Sequence, residues 1–455
     1  MDLGLPLENV QLVEDSSARN RASASRSLKA GQVIVTTPVL SSALLPSEKG
    51  RRCDYCHSLT TPQRSLLKCS SCASYWYCGV ECQSKQWRLH HKRICKAYNR
   101  YTISPEYQAL SSTDRVDAIL LSHFIAQVFP AGASSIPTEH EDKQLWMFFD
   151  LLKGPMHSRG IPPLCQAKSF PSVSPDVLEE CYSRFGNNNF ILHSHLNTFA
   201  HGVFPLASRL FNHSCVPNCA AKYVLVPGEM AKMEIVALHE INAGDELTIP
   251  YLDPALPFQT RQEALLSNYG FECQCILCNF SRSIAPLPPL PDDTTPLEAE
   301  LRAYVSSCQG NMHGTVPLQL SMPSSLYPLL HDTYLPRLSE DFSRSSHDGQ
   351  YDVAVRTGST LLALYMVLYP TNFPQIGMHA LELAKTAWNG ALSADSGDYR
   401  GPRRAKELAL QAYSSLGVAK EVLSVFGPEG DDGDPLQEVG ILESLLSEDP
   451  LLRAS

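Results

Sequence analysis

Asn212-His213-Ser214-Cys215, running on to Pro217, Asn218 and Cys219, is one half of the pattern that decides this fold. The other half is Gly244-Asp245-Glu246-Leu247-Thr248-Ile249-Pro250-Tyr251, followed by Tyr269-Gly270-Phe271-Glu272-Cys273-Gln274-Cys275 and Cys278. The spacing Cys273-x-Cys275-x2-Cys278 puts three thiolates on a short loop. A closed tetrahedral zinc site takes four protein ligands, so the loop is one short. Cys215 is the natural fourth. A metal shared between them would bring the first stretch to the last.

The bulk numbers set bounds. At 455 residues the chain has room for about two to four domains and a large core. Apolar content of 44% and charged content of 18% are those of an ordinary globular protein. The net charge of −10 excludes a surface built throughout to bind polyanions. The opening, residues 1–15, has neither a basic region nor an apolar core, so no secretory leader is expected there. The apolar run 361–369 is too short to span a bilayer.

Fifteen cysteines are distributed unevenly, with seven between Cys53 and Cys95. Pairs separated by two residues have metal spacing rather than disulfide spacing in an intracellular chain. The remaining Cys165, Cys181, Cys219 and Cys308 read as ordinary, mostly packed thiols.

Residues 49–97 form a metal-dense module. The pattern is Cys53-x2-Cys56, Cys69-x2-Cys72, Cys78-x3-Cys82 and His91-x3-Cys95. Eight ligands suffice for two zinc ions, and a segment this short needs metal for its folding energy. His90 is a rival to His91. The His-x3-Cys spacing that puts both side chains on one helical face favours His91. Eleven Lys/Arg lie between Lys49 and Arg100 against only Asp54 and Glu81. Such a stretch reads as a nucleic-acid patch or as a solvated helix face; the second is preferred. Tyr75, Trp76 and Trp87 either line a groove or pack beneath it.

Strands are expected at 9–13, 32–35, 220–226, 231–237 and 246–250, with Pro227-Gly228 as a hairpin turn. A helix opens at Asp114 with an acidic first turn. Leu145, Phe148, Phe149 and Leu152 follow as a buried helical stripe. A short helix is expected over 260–269. The proline-rich 285–293 stretch reads as a spacer. Beyond it, Leu381, Ala384, Trp388 and Leu392 make one helical stripe, and Leu408, Ala412, Leu416, Ala419 and Leu423 another. The acidic, glycine-rich start of the tail after Phe426 reads as loose.

These motifs resemble those of the SET-domain lysine methyltransferases, and the second cysteine cluster narrows the resemblance to the SET-and-MYND-domain family. It covers about residues 1–280 by motif and the rest by helical character. It implies an α+β chain: a β-rich SET fold with an inserted MYND zinc finger and a helical insert, followed by an α-helical TPR-like C-terminal domain. The implied boundaries are 1–48 for the first part of the SET domain, 49–97 for the finger and 98–185 for the helical insert. The SET core is 186–258, a post-SET zinc segment 259–281, a proline-rich linker 282–296 and the helical domain 297–455.

The resemblance also implies roles. Three structural zinc ions are expected: one on Cys53, Cys56, Cys78 and Cys82, one on Cys69, Cys72, His91 and Cys95, and one on Cys215, Cys273, Cys275 and Cys278. The family usually has one residue fewer between Trp87 and its ligand histidine. S-adenosyl-L-methionine is the implied cofactor, with Asn20, Asn188, Asn212, His213, Tyr251 and Phe271 around it and Tyr251 as the catalytic residue. Asparagine amides, with a donor and an acceptor end, suit its amine and carboxylate. Phe271 would stack on its adenine, a contact of about 1–3 kcal/mol by analogy with base stacking.

One departure is plain. Where the family flanks its first asparagine with glycines, this chain reads Ala18-Arg19-Asn20-Arg21-Ala22. Glycine lets a backbone approach a ligand closely. The arginines favour a second reading, an adaptor that has lost cofactor and binds peptides through its finger and helices. The implied partners are a protein substrate with an exposed lysine and a proline-rich peptide at the finger. Nucleic acid and membrane are not expected, a monomer is, and the implied compartment is nucleus or cytoplasm.

Overall fold

The β-branched and apolar residues of Val33–Pro38 and Lys232–Ala237 pair antiparallel, Val35 facing Ile235 and Thr37 facing Met233. Cys219–Val224 adds to the other edge of Lys232–Ala237 to complete a three-stranded sheet. The computed structural model describes residues 7–14, 21–62, 65–136, 143–154, 160–168, 170–308, 317–395, 401–429, 431 and 434–448, without the side chains of 395 and 402. Asn20, with Ala18 and Arg19, lies outside the described residues.

A second three-stranded antiparallel sheet has Asn197–Val203 between Ser41–Leu44 and Asn189–Ser194. Its hairpin turns on His195 and Leu196, both with positive φ (50° and 64°). A two-residue turn of this hand matches the right-handed twist of the flanking strands, but side chains other than glycine, asparagine and aspartate resist it. Val10–Val13 and Arg21–Ala24 make a further hairpin. Its second strand was not expected, nor was the Asn189–Val203 hairpin. Ile235, Met233, Phe199, Phe204 and Leu247 bury the common core of these sheets.

The finger, with its small Leu67–Lys68 and Trp76–Tyr77 ladder, shares one core with the helical insert. Tyr75 is fully buried there rather than lining a groove. Its hydroxyl donates to His123 Nε2 at 2.8 Å, while His123 Nδ1 donates to the Ser42 carbonyl at 2.8 Å. The helix Ser112–Val128 thereby ties the finger to the second sheet. The next helix, Lys143–Asp150, buries Met147 and Phe148. Leu152 does not continue that stripe: it lies past the helix end and is exposed.

The C-terminal region is helical: Tyr334–His347, Tyr351–Leu368, Pro374–Asp395, Gly401–Phe426 and Pro435–Glu448 pack each on the next, and Thr295–Ser307 packs on Tyr351–Leu368. Leu408, Ala412, Leu416, Ala419 and Leu423 are all buried, as are Leu381, Ala384 and Trp388, but Leu392 is exposed. Ala220 and Leu238 of the sheet belong to this helical core, so the two regions pack directly.

The described residues at the start of the tail are held in place rather than loose. Leu225 N–H donates to the Glu429 carbonyl at 3.1 Å, and His195 N–H donates to the Glu429 carboxylate at 2.7 Å. Asp431 pairs with Arg52 at the base of the finger at 2.8 Å, with both side chains nearly inaccessible. Composition pointed to disorder, but partners far away in the chain hold these acids.

Candidate functional site

The site is built on a short parallel pairing. Asn212–His213 lies beside Thr248–Ile249, Asn212 opposite Thr248 and His213 opposite Ile249. Asn218 holds the second strand in place: its Oδ1 accepts from Thr248 N–H at 2.9 Å and its Nδ2 donates to the Glu246 carbonyl at 2.8 Å. Tyr251 leaves the end of this pairing next to His213, with ring centroids 5.3 Å apart.

The helix Phe258–Tyr269 ends on Gly270, whose φ of +75° lets the chain reverse at once. That reversal sets Phe271 beside Tyr269 and His213, with centroids 6.4 and 6.1 Å away. Gln262 then clamps the Cys273 backbone, donating to its carbonyl at 3.1 Å and accepting its N–H at 3.0 Å.

Beyond it the third thiol cluster closes. The sulfur atoms of Cys215, Cys273, Cys275 and Cys278 all lie within 4.8 Å of one another. Cys215 Sγ is 3.9 Å from Cys273 Sγ and 3.5 Å from Cys278 Sγ. A tetrahedral zinc about 2.3 Å from each sulfur spaces them about 3.8 Å apart, so the donor set fits that ion.

In the finger, Cys53, Cys56, Cys78 and Cys82 form one such group, and Cys69, Cys72, His91 and Cys95 another. The second comes with a specific local device. Trp87–His91 is a π-helical turn, wider by one residue than an α-turn. It absorbs the additional residue, so that His91 Nε2 comes within 3.6 Å of Cys72 Sγ. His90 turns away and stacks on His123, ring centroids 4.1 Å apart. Four soft or borderline donors leave no open position in any of the three groups, so each is suited to a structural ion.

Above the parallel pairing lies a cleft of about 1160 Å³, whose lining includes Asn188, Asn212, His213, Tyr251, Tyr269 and Phe271. It continues past Phe190 and Tyr223 to Phe373 and Pro374 of the helical region. Of the six residues expected around a cofactor, the structure brings five to this cleft; Asn20 is outside the described residues.

The polar atoms of the cleft are unequal. Asn188 Nδ2 donates to the carbonyls of Arg184 at 2.7 Å and Leu152 at 3.1 Å, closing its own helix. Asn212 Nδ2 donates to Glu246 Oε1 at 2.9 Å. Asn188 thus spends both amide N–H groups on the protein, and Asn212 one of its two. Buried Asn187 Oδ1, Asn189 Oδ1 and Ser208 Oγ line the same cleft and have no hydrogen-bond partner among the described residues. Unpartnered buried polar atoms are costly unless a ligand or water meets them. They fit a polar, multiply hydrogen-bonding ligand. Asn187, Ser208 and Glu246 were not singled out for this site from sequence. Glu246 stood in the quoted motif, but nothing local marks its partner.

Tyr251 is the pivot. Its hydroxyl donates to the Phe211 carbonyl at 2.7 Å. Burial, with Tyr269 and the Glu246 charge adding, drives its pKa well above the ordinary phenol range, so it stays neutral. With the proton committed to Phe211, the oxygen presents lone pairs to the cleft.

With this geometry, sequence comparison becomes decisive: a SET domain model matches residues 22–252. The chain belongs to the SET- and MYND-domain family. Among its relatives is the N-lysine methyltransferase SMYD2-A of Xenopus laevis, 28% identical over 269 residues, which are 58% of this chain and 60% of that one. The SMYD2-A of Danio rerio is 25% identical over 382 residues, 80% of this chain and 85% of its own. The mouse histone-lysine N-methyltransferase SMYD3 is 27% identical over 285 residues, 58% of this chain and 61% of that one. The chain therefore spans about 60% of the first of these relatives. No helix among the described residues is long and apolar enough to cross a membrane.

Proposed function

We propose that this SET- and MYND-domain protein is a protein-lysine N-methyltransferase that uses S-adenosyl-L-methionine, with three structural zinc ions. One observation carries the reading above the others. A neutral, buried tyrosine with its proton engaged on a carbonyl stands in a cleft walled by asparagine and aromatic residues.

S-adenosylmethionine, when bound, supplies a methyl group on a positively charged sulfonium. Phe271 would cover its adenine, and the Asn188 and Asn212 amides would receive its ammonium group. His213 and Tyr269 complete the wall.

A lysine amine at neutral pH is protonated; removing that proton costs about 4–5 kcal/mol. Entry of the lysine alongside Tyr251 and Tyr269, whose rings pack against each other with centroids 4.8 Å apart, would strip water from the ammonium and lower that cost. The proton leaves to water outside the cleft. Tyr251 then accepts a hydrogen bond from the neutral amine and turns its lone pair toward the methyl carbon. Orienting the amine in this way would remove orientational entropy from the barrier. The methyl donor would supply the transferred carbon, the new nitrogen–carbon bond forming as its carbon–sulfur bond breaks.

Cys215, Cys273, Cys275 and Cys278 would hold the ion that keeps Phe271 and Tyr269 over the cleft. Within the same reading, exposed Leu67, Val80 and Trp87 on the finger support a proline-rich peptide as a second partner. The working compartment would be nucleus or cytoplasm.

The test is transfer of labelled methyl from S-adenosylmethionine to lysine-containing proteins and peptide arrays, with Tyr251→Phe as the control. Methyl-lysine formed by the wild type and not by the variant supports the reading. Binding of the methyl donor without any transfer, or no binding at all, would leave the peptide-binding adaptor.

A further inference from the structure

We propose that Glu246 is a positioning residue that fixes the Asn212 amide with its oxygen toward the cleft, and so makes the site select a methyl donor bearing a free α-ammonium group. This rests on the methyltransferase reading and adds a determinant to it.

Glu246 is held from both sides. Asn218 Nδ2 donates to its carbonyl at 2.8 Å. On the other side, Ser23 bridges to Glu246, and Leu247 N–H donates to the Ala22 carbonyl at 2.7 Å. The main chain is therefore fixed between the Arg21–Ala24 strand and Asn218, just ahead of the Cys219–Val224 strand.

Its carboxylate meets Asn212 Nδ2 at 2.9 Å. An ionised carboxylate has no proton to give, so only the NH2 end of an amide can face it. That settles which way Asn212 points. The amide is planar, and its oxygen is left on the other side, where Asn212 lines the cleft. A charged acceptor on Nδ2 also polarises the amide, making Oδ1 a stronger acceptor.

Asn188 reaches the same state by another route, its donors spent on the Arg184 and Leu152 carbonyls. The cleft thus presents two amide oxygens. Two acceptors suit an ammonium group, which has three donors and no acceptor, and disfavour a carboxylate. Without Glu246 the Asn212 amide is free to flip. It would then offer NH2 as readily as oxygen, and the preference for an amine would fade.

The experiment is calorimetric titration of the full-length, zinc-loaded protein with S-adenosylhomocysteine and with its analogue lacking the α-amino group. Wild type is expected to prefer the amine-bearing ligand by about tenfold or more, the worth of one charge-assisted hydrogen bond. In Glu246→Ala the preference should shrink to about threefold or less, chiefly by weaker binding of the amine-bearing ligand. Zinc content should stay at wild-type level. Glu246→Gln serves as the second variant should the alanine form fail to fold; its own amide can face Asn212 either way, so its preference should also drop. In an Asn212→Ala background, Glu246→Ala should change the preference no further. Undiminished preference in folded, zinc-loaded Glu246 variants would overturn the proposal and leave the methyltransferase reading standing. Wild-type protein that binds neither ligand would overturn both.

Discussion

The backbone N–H of Tyr251 donates to Nδ1 of His213 at 3.0 Å. Because Nδ1 accepts, the imidazole proton sits on Nε2, which is 3.2 Å from Cys215 Sγ. One ring therefore joins the backbone of Tyr251 to the sulfur of Cys215 in the third thiol cluster. Groups behind metal ligands commonly set ligand orientation in this way. His213→Ala is expected to lower kcat by about tenfold or more, through misplacement of Tyr251. Zinc content, read by mass spectrometry of the native protein, should be unchanged. Loss of an ion would show that the ring serves the metal rather than the tyrosine.

Tyr251→Phe removes the hydroxyl proposed to accept from the lysine amine and leaves the ring in place. Its kcat should fall by about a hundredfold, the usual scale for a group engaged in the reacting hydrogen-bond network. Donor affinity by calorimetry should stay within about threefold. A matched fall in affinity and rate would place Tyr251 in binding rather than in transfer.

The third zinc group should control the site without controlling the finger. Cys275→Ser is expected to reduce bound zinc from three ions per chain to two, in keeping with the three donor groups. Methyl-donor binding should be lost, since Phe271 and Tyr269 lose their anchor, while the finger keeps its two ions. Full methyl transfer by protein lacking that ion would contradict the role given to it.

Glu429 gives a pH signature. Burial, the largest cause, raises its pKa from 4.5 to about 7 in the folded chain. The folded state therefore keeps a proton that the unfolded state releases. Between pH 4.5 and about 7 the native state binds more protons, so this residue's contribution to stability falls as pH rises through that window. Glu429→Gln has no proton to lose. The stability difference between wild type and this variant should move in the variant's favour from about pH 5 to about pH 8, by on the order of 2–3 kcal/mol. Urea midpoints at the two pH values measure it, and parallel behaviour of the two proteins would refute it.

Arg52 sits over the Phe199 ring at 4.4 Å, pairs with Asp431 at 2.8 Å and reaches Glu48 at 3.1 Å. Removing one partner of a buried pair leaves the other charge uncompensated, at a cost of about 3–5 kcal/mol. Arg52→Met should lower stability on that scale, and adding Asp431→Asn should restore part of it. Additive losses in a double-mutant cycle would mean the two residues act separately.

What could be read from sequence was the chemistry with short-range spacing. Cys-x2-Cys pairs, the Cys273–Cys278 loop and the asparagine and tyrosine motifs announce themselves by residue type, and the structure gathers them. The hairpin Asn189–Val203 was not legible, because its turn is His195-Leu196 rather than Asn-Gly. A carboxylate more than two hundred residues away, Glu429, holds the His195 N–H at that turn. The same long-range pairing hid the order of the tail. Leu152 and Leu392 kept the helical period but not the burial, since period alone does not say where a helix ends or what covers it. The side on which Asn212 spends its donor depends on Glu246, which only the parallel pairing brings beside it.

The cleft between Asn188, Asn212 and Phe271 is proposed as the methyl-donor site. Titration of S-adenosylmethionine into the full chain, with its zinc content verified beforehand, tests it most directly. Saturable heat at one ligand per chain, abolished by Asn212→Ala, is the result expected. A flat titration with all the zinc in place would contradict it.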